Sequence, residues 1–152
     1  MPFRSPFDRA AFALADALYR KRGVRLRAFE ILARAHRWRH SGVPLVLITG
    51  SAGKTTTRRL TAAVLARRFD VIETRGNDNI DLSAHRYVRR SRAGRNDALV
   101  LEAGIQSPRH PRHWSRALDP DVFVLTNVGD SHLAWLGDRR GVLDAKLQLA
   151  RR

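Results

Sequence analysis

The sequence predicts an α/β fold, in which helices flank a parallel sheet and a helical hairpin precedes it. Short apolar runs alternate along the chain with segments whose apolar residues recur at helical spacing, a pattern typical of strands joined by crossover helices. The first apolar run leads into a glycine-rich turn that opens a helix, and polar residues follow the later runs. A parallel sheet gathers such strand ends at one edge, where ligands bind.

The composition is that of one globular unit without cysteine chemistry. The chain has 152 residues, of which 43% are hydrophobic and none is cysteine, so a disulfide framework and thiolate catalysis are excluded. No apolar run approaches the roughly 20 residues of a membrane span. The N-terminus lacks the apolar core of a signal peptide, and we expect a cytoplasmic protein.

The formal net charge of +15 has two interpretations. One is a nucleic-acid or anionic-membrane partner. The other, which we favour, is a coding bias that uses Arg wherever any cation suffices, because only Lys21, Lys54 and Lys146 among the 29 basic residues are lysines. Each lysine is then a candidate for a position that Arg cannot fill.

Residues 1–42 are predicted to form a basic amphipathic helical segment, separate from a domain at 43–152. Helical spacing covers 7–22 and 25–40, and the second helix carries arginines on one side, including Arg34 and Arg37. Such a hairpin either lies on a membrane surface or RNA, or docks its apolar side on the next domain with the arginines in solvent. We favour docking.

The stretch LVLITGSAGKTTT at 45–57 predicts a strand feeding a phosphate-binding loop at a helix N-terminus. Gly50 and Gly53 let the backbone curl towards phosphate oxygens. Lys54 supplies a charge for the outer phosphates, and the Thr55 hydroxyl suits Mg²⁺. The spacing G-x-x-G-K-T is shorter than in the usual Walker loop, so the sheet is of the P-loop type with a shortened loop.

The remaining elements follow the same alternation. The helix after the loop should extend to Arg68 and turn Leu60, Val64 and Leu65 towards the sheet. The further expectations are a strand at 69–74, a polar turn at 75–79, a helix at 82–90, a loop at 93–96, a strand at 98–102, a loop at 105–113, a short helix at 114–118, a strand at 121–127, a loop at 129–137 and a helix at 142–152.

Three groups join the phosphate loop at the predicted strand ends. Glu102 closes an apolar strand, as the second acid of a nucleotide site does, and is a candidate Mg²⁺ ligand. Asn127 and His132 follow the last strand, and Lys146 lies on the final helix. Because all of them are predicted to lie at one edge of the sheet, we interpret them as a phosphate and metal site rather than as solvated side chains without a function.

Together these motifs resemble the ATP-binding central domain of the Mur ligases, ADP-forming peptide synthetases of cell-wall assembly. The resemblance rests on ITGSAGKTT at 48–56, LEAG at 101–104, TNVGDSHL at 126–133 and the AK-x-x-L helix at 145–149. It runs from about Val46 to Leu149 in the family's order. GNDN at 76–79 is similar to a motif of the branch that adds D-alanyl-D-alanine.

The resemblance implies an ATP- and Mg²⁺-dependent ligase of peptidoglycan precursor synthesis. A substrate carboxylate is phosphorylated to an acyl phosphate, and the amine of an amino acid or dipeptide then forms the amide. In the family, the lysine matching Lys146 is carbamylated. The implied catalytic residues are Lys54, Lys146 and His132; the nucleotide-binding residues are Gly50, Ser51, Ala52, Gly53, Lys54, Thr55, Thr56 and Asn127; and the metal ligands are Thr55, Glu102, His132 and Lys146.

Several positions depart from the family pattern. Ile80, Ser83 and Gln148 stand where the branch has Asn, Gly and an acid. Because the sequence stops at Arg152, we expect a truncated domain whose C-terminal partner domain acts in cis or in trans. Two alternatives stay open: a nucleotide-binding module without ligase activity, and a basic NTPase associated with nucleic acid, for which there is no strong case.

Overall fold

Four parallel strands form the centre of the fold. The computed structural model describes residues 31, 34–35, 37, 42–76, 87–88, 90–91, 95–105, 115, 118–131 and 133–150. The strands are β1 (Leu45–Thr49), β2 (Asp70–Glu73), β3 (Asp97–Glu102) and β4 (Val122–Leu125), in the spatial order β2-β3-β1-β4. The predicted α/β class and parallel sheet are confirmed.

The strand register aligns the C-terminal ends of β1, β3 and β4 at the same edge of the sheet. All residues of the central strands β1 and β3 are buried, which is why both read as continuous apolar runs in the sequence. Ile48 of β1 is paired with Glu102 of β3, and Thr49 is paired with Leu125 of β4. The residues after β1, β3 and β4 therefore emerge side by side at the carboxyl edge.

The helices differ from the prediction at their ends. Among the described residues, the helices whose bounds are given are α1 (Lys54–Leu65), α2 (Leu133–Leu136) and α3 (Arg139–Leu147), followed by a 3₁₀ turn at Gln148–Ala150. Thus α1 stops before Arg68, and the loop predicted at 129–137 was wrong because it contains α2. Helix α3 begins earlier than 142 because the Asp138 side chain accepts a hydrogen bond from Gly141 N and caps it.

Alternating residues of the strands feed two hydrophobic clusters, one on each face of the sheet. The smaller cluster, against α1, has the buried residues Val46, Ile48, Ala62 and Val100. The larger cluster, against α3 and the helical residues near position 88, has the buried residues Val43, Leu45, Leu47, Tyr87, Val88, Leu99, Leu101, Ala103, Ile105, Leu118, Ala145 and Leu149.

The predicted orientation of α1 was partly wrong. Leu60 and Val64 are 64% and 69% exposed, whereas Arg58 and Ala62 are buried. Leu65 does pack against the smaller cluster, as predicted. The helix is therefore rotated so that a small residue and a paired cation, rather than its largest apolar residues, face the sheet.

The described part of 25–40 supports docking, with a correction. Arg37 was expected on a solvated face but is buried: its Nε donates to Leu118 O at 2.9 Å, its Nη1 to Val43 O at 2.7 Å, and its Nη2 reaches Asp121 Oδ2 at 3.3 Å. These bonds tie the helical segment to the chain before β1 and β4. None of the helices described here is long and apolar enough to cross a bilayer.

Several predicted features lie outside the described residues. They are the hairpin over 1–30, residues 77–79 of the GNDN turn with Ile80 and Ser83, most of the predicted helices at 82–90 and 114–118, the predicted loop from 106 onward, and His132.

Candidate nucleotide and metal site

The turn after β1 requires glycine at two positions. Gly50 has φ +154°, and a Cβ there would overlap Thr126 Oγ1. Gly53 has φ +77° in the left-handed region and is the N-cap of α1, a conformation that costs other L residues free energy. The sequence argument for a curled glycine loop is therefore consistent with the observed backbone.

The segment after β4 braces this turn. Asn127 Oδ1 accepts hydrogen bonds from Ser51 N at 3.1 Å and Ala52 N at 2.9 Å. Thr126 Oγ1 donates to Ala52 O at 2.6 Å, and Gly129 N donates to Ser51 Oγ at 2.9 Å. Hydrogen bonds therefore join two motifs that are far apart in sequence.

The N-terminus of α1 has the features of an anion site. No side chain caps it, and its first turn contains no acid, so its leading amide groups lack an intrahelical partner and carry the positive end of the helix dipole. Lys54 Nζ lies over the loop and donates to Gly50 O at 2.9 Å. A twelve-residue helix with these features suits a phosphate group.

A carboxylate and a hydroxyl meet beside this helix end. Thr55 Oγ1 donates to Glu102 Oε2 at 2.9 Å, and Glu102 is buried with its backbone N bonded to Thr74 Oγ1 at 3.1 Å. Two neighbouring oxygen donors next to a phosphate position fit Mg²⁺, which takes few protein oxygens and completes its shell with phosphate and water. Among the described residues no three His, Cys, Asp or Glu side chains cluster.

Lys146 is enclosed by the fold. It is 2% exposed on the buried side of α3, with Val142 and Ala145. Burial, and secondarily the positive charge of Lys54, lower the pKa of the Lys146 amine from 10.5 to about 8. The contribution of Lys54 indicates that the two ammonium groups lie close enough to repel each other.

An exposed ion pair connects the His132 loop to α3. Arg139 donates from Nε to Asp130 Oδ1 at 2.7 Å and from Nη2 to Asp130 Oδ2 at 3.0 Å. The bidentate hydrogen bond and the charge of Arg139 lower the pKa of Asp130. The pair fixes the loop before α2 to the start of the helix that carries Lys146, but His132 itself lies outside the described residues.

Sequence reasoning missed Arg58. Its buried guanidinium contacts Glu73 through Nη1 and lies 3.6 Å from Glu102 Oε2 through Nε. The missed signal was spacing: Lys54, Arg58, Ala62 and Leu65 share one face of α1. Apolar spacing instead predicts an inward side with Leu60, Val64 and Leu65, and among 26 arginines no feature of the sequence distinguishes the buried Arg58.

These features define a nucleotide-binding α/β domain with a phosphate loop after its first strand. The chain belongs to the Mur ligase family, because the Mur ligase middle domain matches residues 48–152. This confirms the resemblance inferred from the four motifs.

Named relatives agree with the D-alanyl-D-alanine branch. The UDP-N-acetylmuramoyl-tripeptide--D-alanyl-D-alanine ligase of Bacillus subtilis is 36% identical over 124 residues, which are 82% of this chain and 27% of that protein. A crystal structure of MurF from Acinetobacter baumannii has a TM-score of 0.74 at 29% identity, over 82% of this chain and 27% of that one. MurF ligase from Thermotoga maritima in complex with ADP has a TM-score of 0.71 at 30% identity, over 82% and 29%. The chain thus spans about a quarter of these relatives.

Proposed function

We propose that the chain binds ATP and Mg²⁺ and forms the ATP-binding portion of an ADP-forming ligase that makes amide bonds through an acyl phosphate. The observation that carries the proposal is the convergence of Lys54, Thr55 and Glu102 at the uncapped N-terminus of α1. Membership of the Mur ligase family, and the similarity to a relative in complex with ADP, support ATP as the nucleotide.

The proposed nucleotide contacts follow from the loop geometry. Leading amides of α1 and the Lys54 ammonium hold the phosphates, while Asn127 keeps the turn in its curled form. Thr55 and Glu102 hold Mg²⁺, with His132 and Lys146 as the further ligands that the family resemblance implies. Residues assigned to nucleotide binding are Gly50, Ser51, Ala52, Gly53, Lys54, Thr55, Thr56 and Asn127.

The reaction proceeds in two balanced steps. A substrate carboxylate oxygen attacks the γ-phosphorus, the bond to the bridging oxygen breaks, and ADP leaves. The substrate amine then attacks the acyl carbon, loses a proton and expels phosphate. Mg²⁺ supplies charge neutralisation at the phosphoryl group; Lys54 and the α1 amides stabilise the same developing charge from the protein side.

Lys146 is proposed to be carbamylated, as in the family. Its lowered pKa of about 8 leaves more neutral amine near pH 7 than an exposed lysine has. The neutral nitrogen attacks CO₂, a C–N bond forms and a proton leaves, giving a carbamate anion with oxygen donors for a cation. Arg cannot replace it, because a guanidinium stays protonated.

The substrate class is inferred from the relatives. They are named for joining D-alanyl-D-alanine to a UDP-N-acetylmuramoyl tripeptide, so we propose a cytoplasmic cell-wall-precursor ligase with a carboxylate donor and a dipeptide amine. A domain that binds the amine would be supplied in cis or in trans. We further propose the division into a helical segment at 1–42 and an ATP-binding domain at 43–152, with Arg37 docking the segment rather than leaving it for a membrane.

The ligase proposal is tested by ADP release. The chain, alone and with the C-terminal domain of the B. subtilis relative added, is supplied with ATP, Mg²⁺, the UDP-muramoyl tripeptide and D-alanyl-D-alanine. We expect ADP release that requires both substrates and is lost in Lys146→Ala. Nucleotide binding without substrate-dependent ADP release in either mixture would instead identify a binding module.

A further inference from the structure

Arg58 is a buried cation held between two carboxylates. It is 3% exposed and lies on the sheet side of α1, one turn after Lys54. Its Nη1 contacts Glu73, and its Nε lies 3.6 Å from Glu102 Oε2. Removing a guanidinium from water costs several kcal/mol unless partners compensate, so a packing role alone would be served better by an apolar residue on this face.

Glu102 is the member of this cluster with a second contact at the site. Its Oε2 accepts a hydrogen bond from the Thr55 hydroxyl at 2.9 Å and lies 3.6 Å from Arg58 Nε. In the described part of the chain, Nε is buried and has no hydrogen-bond partner. A distance of 3.6 Å is beyond a hydrogen bond, so Nε is a donor whose nearest described acidic partner is the site carboxylate.

Glu73 offsets the positive charge that Arg58 would otherwise bring to the proposed metal site. A lone Arg58 would repel Mg²⁺ and neutralise Glu102. Glu73, at the end of β2, pairs with Nη1 on the side away from Nε, so the three groups together keep a net negative charge. Arg can do this because its planar fork donates in two directions, whereas a Lys ammonium is a point charge.

We propose that Arg58 is a positioning residue, which holds Glu102 beside Thr55 in the place from which the carboxylate ligates Mg²⁺. The inference rests on the proposed function, since it assumes that Thr55 and Glu102 form the metal site. Arg58 does not touch nucleotide or metal in this account. It acts through the carboxylate, and Glu73 balances its charge.

The test compares ADP affinity with and without Mg²⁺. Isothermal titration calorimetry on the whole chain gives the gain in ADP affinity on replacing EDTA by Mg²⁺, for wild type, Arg58→Met, Arg58→Lys and Arg59→Met. Arg59 is the matched control, an exposed arginine on the same helix. Thermal melts and circular dichroism report folding separately.

We expect Arg58→Met to bind ADP in EDTA with the affinity of the wild type. The factor by which Mg²⁺ raises the ADP affinity should be about tenfold smaller in this variant, the usual cost of losing a residue that hydrogen-bonds or pairs with a metal ligand. Arg58→Lys should be intermediate, and Arg59→Met should match wild type. An unchanged gain in folded Arg58→Met, or in Arg58→Lys if the Met variant does not fold, overturns the inference. A wild-type chain that binds ADP without any Mg²⁺ gain overturns the metal site itself, and the inference with it.

Discussion

The two faces of the sheet are built in different ways. Among the described residues, one face carries a cluster of twelve buried residues that includes Leu45, Leu99 and Leu101. On the α1 face the described residues include four buried apolar ones, a buried Arg58, and two large apolar side chains, Leu60 and Val64, which are exposed to solvent. The first face stabilises the domain by burying apolar side chains. On the second face less apolar surface is buried, and the start of α1 and Arg58 instead contact Glu102 at the end of β3.

The largest effect should distinguish the two faces. Leu101→Ala removes a fully buried side chain from the larger cluster and should lower the free energy of unfolding by about 2–5 kcal/mol. Leu60→Ala, on the exposed side of α1, should change it by about 0.5 kcal/mol or less. Urea unfolding measures both. If Leu60→Ala lowered the free energy of unfolding as much as Leu101→Ala, the outer side of α1 would be buried, which would contradict the difference between the two faces.

The next effect concerns the charge buried at Lys146. The Lys146 amine has a pKa of about 8 in the folded protein and 10.5 when exposed in the unfolded chain. The unfolded chain therefore binds more protons between these pH values, so the free energy of unfolding rises with pH across the window. Across this window the free energy of unfolding should rise by about 3 kcal/mol. Below pH 8 the penalty of the buried charge is fully present.

The measurement for Lys146 is a difference between two proteins. The free energy of unfolding of wild type minus that of Lys146→Met is followed from pH 7 to 11 in EDTA and CO₂-free buffer. It should rise between pH 8 and 10.5. Parallel stability curves for the two proteins would mean that the amine is not desolvated.

A smaller effect should come from the brace on the loop. Asn127→Ala leaves Ala52 N without its side-chain acceptor and leaves Ser51 N with only the Asn127 carbonyl at 3.2 Å. Because these bonds are exposed, it should lower the free energy of unfolding by about 0.5–1.5 kcal/mol, together with weaker ADP binding. Asn96→Ala is the control, because Asn96 bonds Arg68 O in an exposed turn away from the loop. Equal ADP affinities for the two variants in calorimetry would show that the hydrogen bonds of Asn127 do not contribute to nucleotide binding.

The sequence predicted most of what depends on local pattern. Strands β1 and β3 were predictable because both of their faces are buried, and the turn at Gly50 and Gly53 because few residues tolerate that backbone. Lys146 was singled out by the rarity of lysine, and the structure places it in the interior. These signals are carried by each residue and its immediate neighbours.

The errors arose where tertiary contacts decide. Helix α2 has four residues, too few for a periodic pattern. The rotation of α1 was mispredicted because apolar spacing favoured Leu60, whereas ion pairs of Arg58 with Glu73 and Glu102 bring the opposite face inward. Spacing along α1 puts Arg58 on one face with Ala62 and Leu65, but no local pattern identifies its partners, because Glu73 and Glu102 lie on β2 and β3.

The most direct test of the account is ADP binding by Lys54→Ala. Calorimetry on wild type, Lys54→Ala and the exposed-arginine control Arg59→Ala should show an affinity loss of about tenfold or more only for Lys54→Ala, since it removes a charge-assisted contact to phosphate. Circular dichroism verifies that the variants fold. Wild-type ADP affinity in folded Lys54→Ala would contradict a phosphate site at the loop before α1.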